Sequence, residues 1–166
     1  MQTTANLWEV LCRDLEAQRG HASREKHHVA AQKFKEAAQQ VFRSSSPRLS
    51  DALEIAGDVC QASGFFPDAI GDFKQSLAHN LESGNISSAA RVAAKLALLL
   101  EHQGEEADAR RFYGQALELY EAAHDFSQHC MLASNLAGLE SAPGIFPPAK
   151  STTCRPWKRR SGSMGK

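Results

Sequence analysis

The chain is short of the residues that break or flatten helices. Glycine and proline number 11 and 6 among 166 residues, and β-branched residues are sparse beside alanine, so intrinsic preference favours helix over strand along most of the length. An all-α fold is expected. Long apolar runs are missing as well: the longest, Leu96–Leu100, falls far short of the roughly 18–20 residues that a membrane-spanning helix needs. No membrane span is therefore expected. The opening residues, Met1 to Asn6, lack a basic segment leading into an apolar one, so there is no secretory signal to read and a cytoplasmic location is the expectation.

Cysteines do not pair in sequence. Cys12, Cys60, Cys130 and Cys154 stand singly, without any C-x-x-C, and a chain of this length folds without staples, so they read as reduced thiols. Acidic residues are absent after Glu140, whereas six of the 19 basic residues follow it. The body up to Glu140 thus carries a net −6 and the tail +6, which argues against nucleic-acid binding by the body, whose field repels phosphate. Catalytic signatures are missing too. There is no G-x-G-x-x-G, no G-x-x-x-x-G-K-[ST] and no H-E-x-x-H, and no Ser, Cys or Lys stands beside a base in a recognisable motif. Neither an enzyme nor a bound cofactor is expected.

What the sequence does contain is a repeat. A shift of 40 residues aligns Gly64, Gly104 and Gly144, and with them Ala69, Ala109 and Ala149. Ala56, Leu96 and Leu136 coincide, as do Gly57, Ala97 and Ala137, and the run from Gly64 to Ala69 has its counterpart in Gly144 to Ala149. The grammar of one copy is clearest from Ala89 to Ala123. Ala93, Leu96, Ala97 and Leu100 form the stripe of an amphipathic helix, and Gly104 ends it. Glu105 and Glu106 then open a second helix at the end where negative charge suits the dipole, with Ala109, Phe112, Tyr113, Ala116, Leu117 and Tyr120 on its apolar face. Residues 51–82 repeat the unit: Leu53, Ala56, Gly57 and Cys60 on the first helix, Ala69, Phe73, Ser76 and Leu77 on the second, with Pro67 in the first turn. Small residues at Gly57, Ala97, Ala69 and Ala109 allow two helices to approach closely, and Phe73 and Tyr113 read as knobs for the adjoining hairpin.

In these positions the sequence resembles the tetratricopeptide repeat family. The matching places are Ala93, Leu96, Ala97, Leu100, Ala109, Tyr113 and Ala116, and in the preceding copy Leu53, Ala56, Gly57, Cys60, Ala69, Phe73 and Ser76. The usual period is about 34, and a spacing of 40 is similar to the extended repeats of kinesin light chains and of adaptors in G-protein and spindle-orientation signalling. The segment Leu96–Gly104 is particularly similar to kinesin light chain repeats. The resemblance implies a right-handed α-solenoid of helical hairpins.

The ends depart from the pattern. Residues 1–43 are read as a divergent first hairpin, with Trp8, Leu11, Cys12 and Leu15 on one helix and Ala30, Phe34, Ala37 and Ala38 on the next, closed by the break at Ser44-Ser45-Ser46-Pro47. Residues 50–140 form the repeat region, in which Ser127–Glu140 is a leftover helix capping the last hairpin. Residues 141–166 read as a degenerate repeat and a disordered basic tail, the pattern that a truncated or alternatively spliced product would show. Comparison with the genomic coding frame tests that expectation. The tail run from Arg155 to Arg160 could serve as a nuclear-import address, an anchor to acidic surfaces or an arm folding back on the body.

Seven histidines raise the question of a metal. His124 and His129 lie about 140° apart if both are helical and so do not converge, and His27 and His28 point to different sides of a helix; solvated positions are expected for all four. Cys12 and Cys60 fall on core positions and behave as small apolar groups.

The resemblance implies a concave surface lined by the first helix of each hairpin and used to bind polypeptides. Phasing the repeats names its candidates: Asn6, Glu9 and Arg13 in the first copy; Asp51, Glu54, Asp58 and Gln61 in the second; Arg91, Ala94, Leu98 and Glu101 in the third. Relatives that grip the acidic C-termini of heat-shock chaperones place Lys and Asn where Glu54 and Asp58 stand. Carboxylates there repel a terminal carboxylate, so a neutral or basic peptide is the expected partner. The rival reading is structural, with weak self-association through the exposed end of the array.

Overall fold

The computed structural model describes residues 23–42 and 46–140, together with the helical positions Glu9 and Arg13. Between residues 23 and 140 the described residues form six successive helices: α1 Arg24–Val41, α2 Pro47–Ser63, α3 Phe66–Glu82, α4 Ile86–His102, α5 Glu106–Ala122 and α6 Phe126–Glu140. There is no strand among the described residues. Each helix packs on its neighbours in sequence, and α1 reaches α3, as α2 reaches α4, through side chains. The fold is an all-α solenoid of hairpins, α2–α3 and α4–α5, with α1 before them and α6 after. Asn6, Cys12, the Gly144–Ala149 run and the basic tail lie outside the described residues.

Turn chemistry sets the period. Among the described residues four adopt a positive φ: Gly64 at 85°, Gly84 at 72°, Gly104 at 78° and His124 at 57°. They stand twenty residues apart, so the structural unit is a half-repeat of one helix plus its turn. At each, the following N–H donates to the carbonyl five residues back, Phe65 to Cys60, Asn85 to Asn80, Glu105 to Leu100 and Asp125 to Tyr120, all at 2.9 Å. That bond and the left-handed residue together are the glycine-type helix stop, which satisfies carbonyls that the helix end orphans. The expected terminators Gly64 and Gly104 are in place; Gly84 and His124 complete the series.

The core is built as the spacing requires. Ala93, Leu96, Ala97 and Leu100 on α4 and Ala109, Phe112, Tyr113, Ala116 and Tyr120 on α5 are buried, as are Leu53, Ala56, Gly57, Cys60, Ala69, Phe73 and Leu77 in the preceding hairpin. Ala30, Phe34 and Ala38 bury the face of α1. The knobs act differently from expectation. Phe73 seats against Gly57 of its own hairpin, where an added Cβ would stand 2.7 Å from the ring, and Tyr113 donates from its hydroxyl to Glu101 of its own hairpin at 2.5 Å. Gly57 on the first helix is a socket for Phe73 on the second.

The buried polar network inside the first hairpin is not repeated in the second. In α2–α3 the Ser76 hydroxyl donates to the Ser50 carbonyl at 2.8 Å, and Ser50 Oγ lies 3.1 Å from Asn80 Oδ1, all three residues being buried. Forty residues on, the same places hold Ala90, Ala116 and Tyr120, all buried. A buried network has to be fully satisfied to be tolerated, whereas the apolar version has only to fit.

Candidate groove on the first-helix face

The first helices of the hairpins, α2 and α4, face each other through ion pairs. Glu54 on α2, only 7% exposed, receives Arg91 Nε at 3.0 Å and Arg91 Nη2 at 2.8 Å, a two-pronged bond. Lys95 Nζ, one turn further along α4, lies 2.9 Å from Glu54 Oε1, the oxygen that also receives Arg91 Nε, and 2.8 Å from Asp58. Its ammonium also stands 5.9 Å over the Phe73 ring, within cation–π range.

Burial pushes the Glu54 carboxyl up, but the hydrogen bonds from Arg91 and Lys95 and their charge outweigh it and hold the group below its ordinary value. Arg91 and Lys95 are raised in return: Arg91 by its bond to Glu54, Lys95 by Asp58 and Glu54 against a burial effect that would lower it. Asp51 differs. Burial raises its carboxyl, the neighbouring Glu54 charge raises it further, and Arg91 and Arg48 only partly offset the two.

The expected charge of this face needs correction. Glu54 and Asp58 are not bare carboxylates awaiting a ligand; Arg91 and Lys95 answer both, so the pair of helices is close to electrically balanced at this level. Lys95 was missing from the candidates. A signal for it existed: Glu54 and Arg91, Asp58 and Lys95, and Lys35 and Asp72 are opposite charges at one separation, 37 residues. A helix in one repeat reaches the corresponding helix of the next with an offset of three from the 40-residue period.

The remaining candidates sort by exposure. Arg91 and Leu98 are exposed, Asp51, Asp58, Gln61 and Glu101 half-buried, and Ala94 buried at the border of the face. Glu101 is engaged by Tyr113. Glu9 and Arg13 are exposed and helical, and Asn6 lies outside the described residues.

On the opposite layer, Lys35 of α1 bonds Asp72 of α3 at 2.7 Å, with Asp72 almost fully buried. His28 is not simply solvated, contrary to expectation: its Nε2 lies 2.7 Å from Asp68 and its ring stacks on Phe65 with centroids 3.9 Å apart. An aromatic in the α2–α3 turn supplies a flat platform there that an isolated helical pattern does not display. His124 is exposed as expected, but it is a turn residue rather than a helical one. Among the described residues no cluster of His, Cys, Asp and Glu could hold a metal ion, and no helix is long and apolar enough to cross a membrane.

Residues 48–122 match the family model for the tetratricopeptide repeat. Similar solved structures include the nearly identical TPR-like repeats assigned to a Podosopora anserina kinesin light chain, at 15% identity and a TM-score of 0.44, covering 83% of this chain and 87% of that one. A single-substitution variant of the same repeats gives 14% identity, a TM-score of 0.45 and the same coverage. No curated protein sequence matches the chain.

Proposed function

We propose that this chain, whose residues 48–122 match the family model for the tetratricopeptide repeat, is a scaffold or adaptor that holds a segment of a partner polypeptide along the face formed by α2, α4 and α6. The observation that carries this reading is the contrast between the two ends of that face. Between α2 and α4 it is closed by ion pairs within the chain, and beyond them it presents side chains with no such engagement, Leu98 at 37% and Met131 at 57% exposure. Repeat scaffolds work by preorganisation: the helices are fixed by their own packing, so a ligand is met by side chains already in place and little ordering cost is added on binding.

The partner is neutral or basic. Glu54 and Asp58 occupy Arg91 and Lys95, the cations that a terminal carboxylate would need, and an acidic ligand would have to break partly buried charge-assisted bonds to reach them. The ion pairs thus exclude acidic ligands by occupancy, where repulsion was the sequence-based reason.

A photo-reactive residue placed at Asp58 or Ala94 tests the groove, with Lys74 and Gln39, exposed on the second-helix layer, as comparison positions. Cross-linking in cell extract followed by mass spectrometry should capture polypeptides from the first pair and not the second. Equal capture from both layers, or capture of other copies of this chain alone, would refute the reading.

A further inference from the structure

The ion ladder between α2 and α4 has a counterpart between α4 and α6, and its chemistry is different. Advancing Glu54, Asp58, Arg91 and Lys95 by one 40-residue repeat gives Ala94, Leu98, Met131 and Asn135. Every charge is gone. Where the first step of the face carries two acids bound to two bases, the second carries three apolar side chains and one neutral amide at the corresponding positions.

These apolar groups stay open to solvent. Leu98 is 37% exposed and Met131 57%, although the remaining large apolar residues of α4 after its first turn, Val92, Leu96, Leu99 and Leu100, are at most 3% exposed. Burying them would remove apolar area from water, and Met adapts to irregular partners because its chain is unbranched. The field around them is negative. From Ile86 to Glu140, α4 to α6, there are eight acidic and four basic residues; Arg91 and Lys95 pair with Glu54 and Asp58 of α2, and Arg110 and Arg111 pair within α5 with Glu106 and Asp108. A second copy of this surface would meet like charge, which disfavours self-docking here and favours a cationic occupant.

We propose that the step between α4 and α6, built on Ala94, Leu98 and Met131, is the anchoring subsite of the groove, and that it takes an apolar side chain flanked by Lys or Arg in a partner peptide. The inference rests on the groove reading above and adds the anchor and its flanking charge. The apolar contact fixes register on the scaffold; the acidic surround steers the basic flanks and gives the binding a dependence on salt.

Selection of a random dodecapeptide phage library on the full-length protein tests it. Peptides with one large apolar residue between basic residues should be enriched. Their binding should fall at least tenfold in L98S and M131S, should stay within twofold in L81S, an exposed apolar position on α3, and should weaken as NaCl rises from 50 to 500 mM. Enriched peptides that are acidic, or basic ones indifferent to Leu98 and Met131, overturn the proposal, as does the absence of any enrichment. If enriched peptides respond to D58N and K95Q but not to L98S or M131S, the groove reading stands and this subsite falls.

Discussion

Gly57 lies under the ring of Phe73 so closely that a Cβ on it would stand 2.7 Å from Phe73 Cε1 and 2.9 Å from Cδ1. Phe73 is fully buried and has no room to swing away. In a helix interior Gly→Ala ordinarily stabilises, by roughly 1 kcal/mol. At this position the overlap should win, and Gly57→Ala should lose about 1–3 kcal/mol in urea unfolding. Gly114→Ala on α5, where an added Cβ meets nothing within 4 Å, should move the other way. A more stable Gly57→Ala protein would mean that the two helices are further apart than described.

Glu54 gives the ion ladder a signature in pH. Its folded carboxyl is held below the ordinary value of 4.5 by Arg91 and Lys95, so its contribution is complete above that value and disappears as pH falls through the lowered one. Glu54→Gln keeps the shape and removes the charge; it should lose about 1–3 kcal/mol at pH 7 and flatten the acid limb of a stability profile between pH 5 and 3. An acid limb unchanged from wild type would show that Glu54 is not paired in solution.

Asp72 should act in the opposite sense. Burial raises its carboxyl and the bond from Lys35 offsets this only in part, so the fold favours the protonated form. Its contribution is then greatest at low pH and is lost as pH rises through the raised value. Removing that offset, Asp72→Asn should steepen the acid limb. Chemical denaturation at a series of pH values separates the two substitutions.

The turn at His124 holds a non-glycine residue at φ 57° where its three counterparts hold glycine. A left-handed residue with a Cβ costs roughly 1 kcal/mol. Substituting His124→Gly should therefore raise Tm by about 2–4 °C, with no change in helix content by circular dichroism. A fall in Tm would indicate that the imidazole contributes more than the backbone costs.

Cys60 should be chemically silent in the folded protein. It is fully buried, and burial together with the charges of Asp72 and Asp68 pushes its thiol up to about 11, so thiolate is scarce at neutral pH. At pH 8, iodoacetamide should modify half-buried Cys130 well before Cys60, as read by peptide mapping. Rapid native labelling of Cys60 would contradict its placement in the core.

Local order was legible where neighbours in sequence decide it. The apolar stripes of residues 51–82 and 89–123, the stops at Gly64 and Gly104 and the small residues Gly57 and Ala97 that let helices approach follow from helical period, backbone freedom and side-chain size. The twenty-residue half-period was also present, in Gly64, Gly84 and Gly104, but a search at 40 passes over every second turn, and His124 carries no mark of a left-handed turn in its identity.

The sequence alone thus determined that helical hairpins form and that their helices stop at Gly64 and Gly104, because both depend on neighbours along the chain. Only the tertiary structure decided what the face between hairpins looks like. Whether Glu54 stands bare or bound depends on the offset with which α4 settles beside α2, a three-residue slip relative to the repeat that no single helix encodes. That slip brings Arg91 and Lys95 onto Glu54 and Asp58, and through the helical repeat it assigns Ala94, Leu98 and Met131 to the equivalent step beyond. Charge in such a groove is a property of pairs, and pairing is settled by packing.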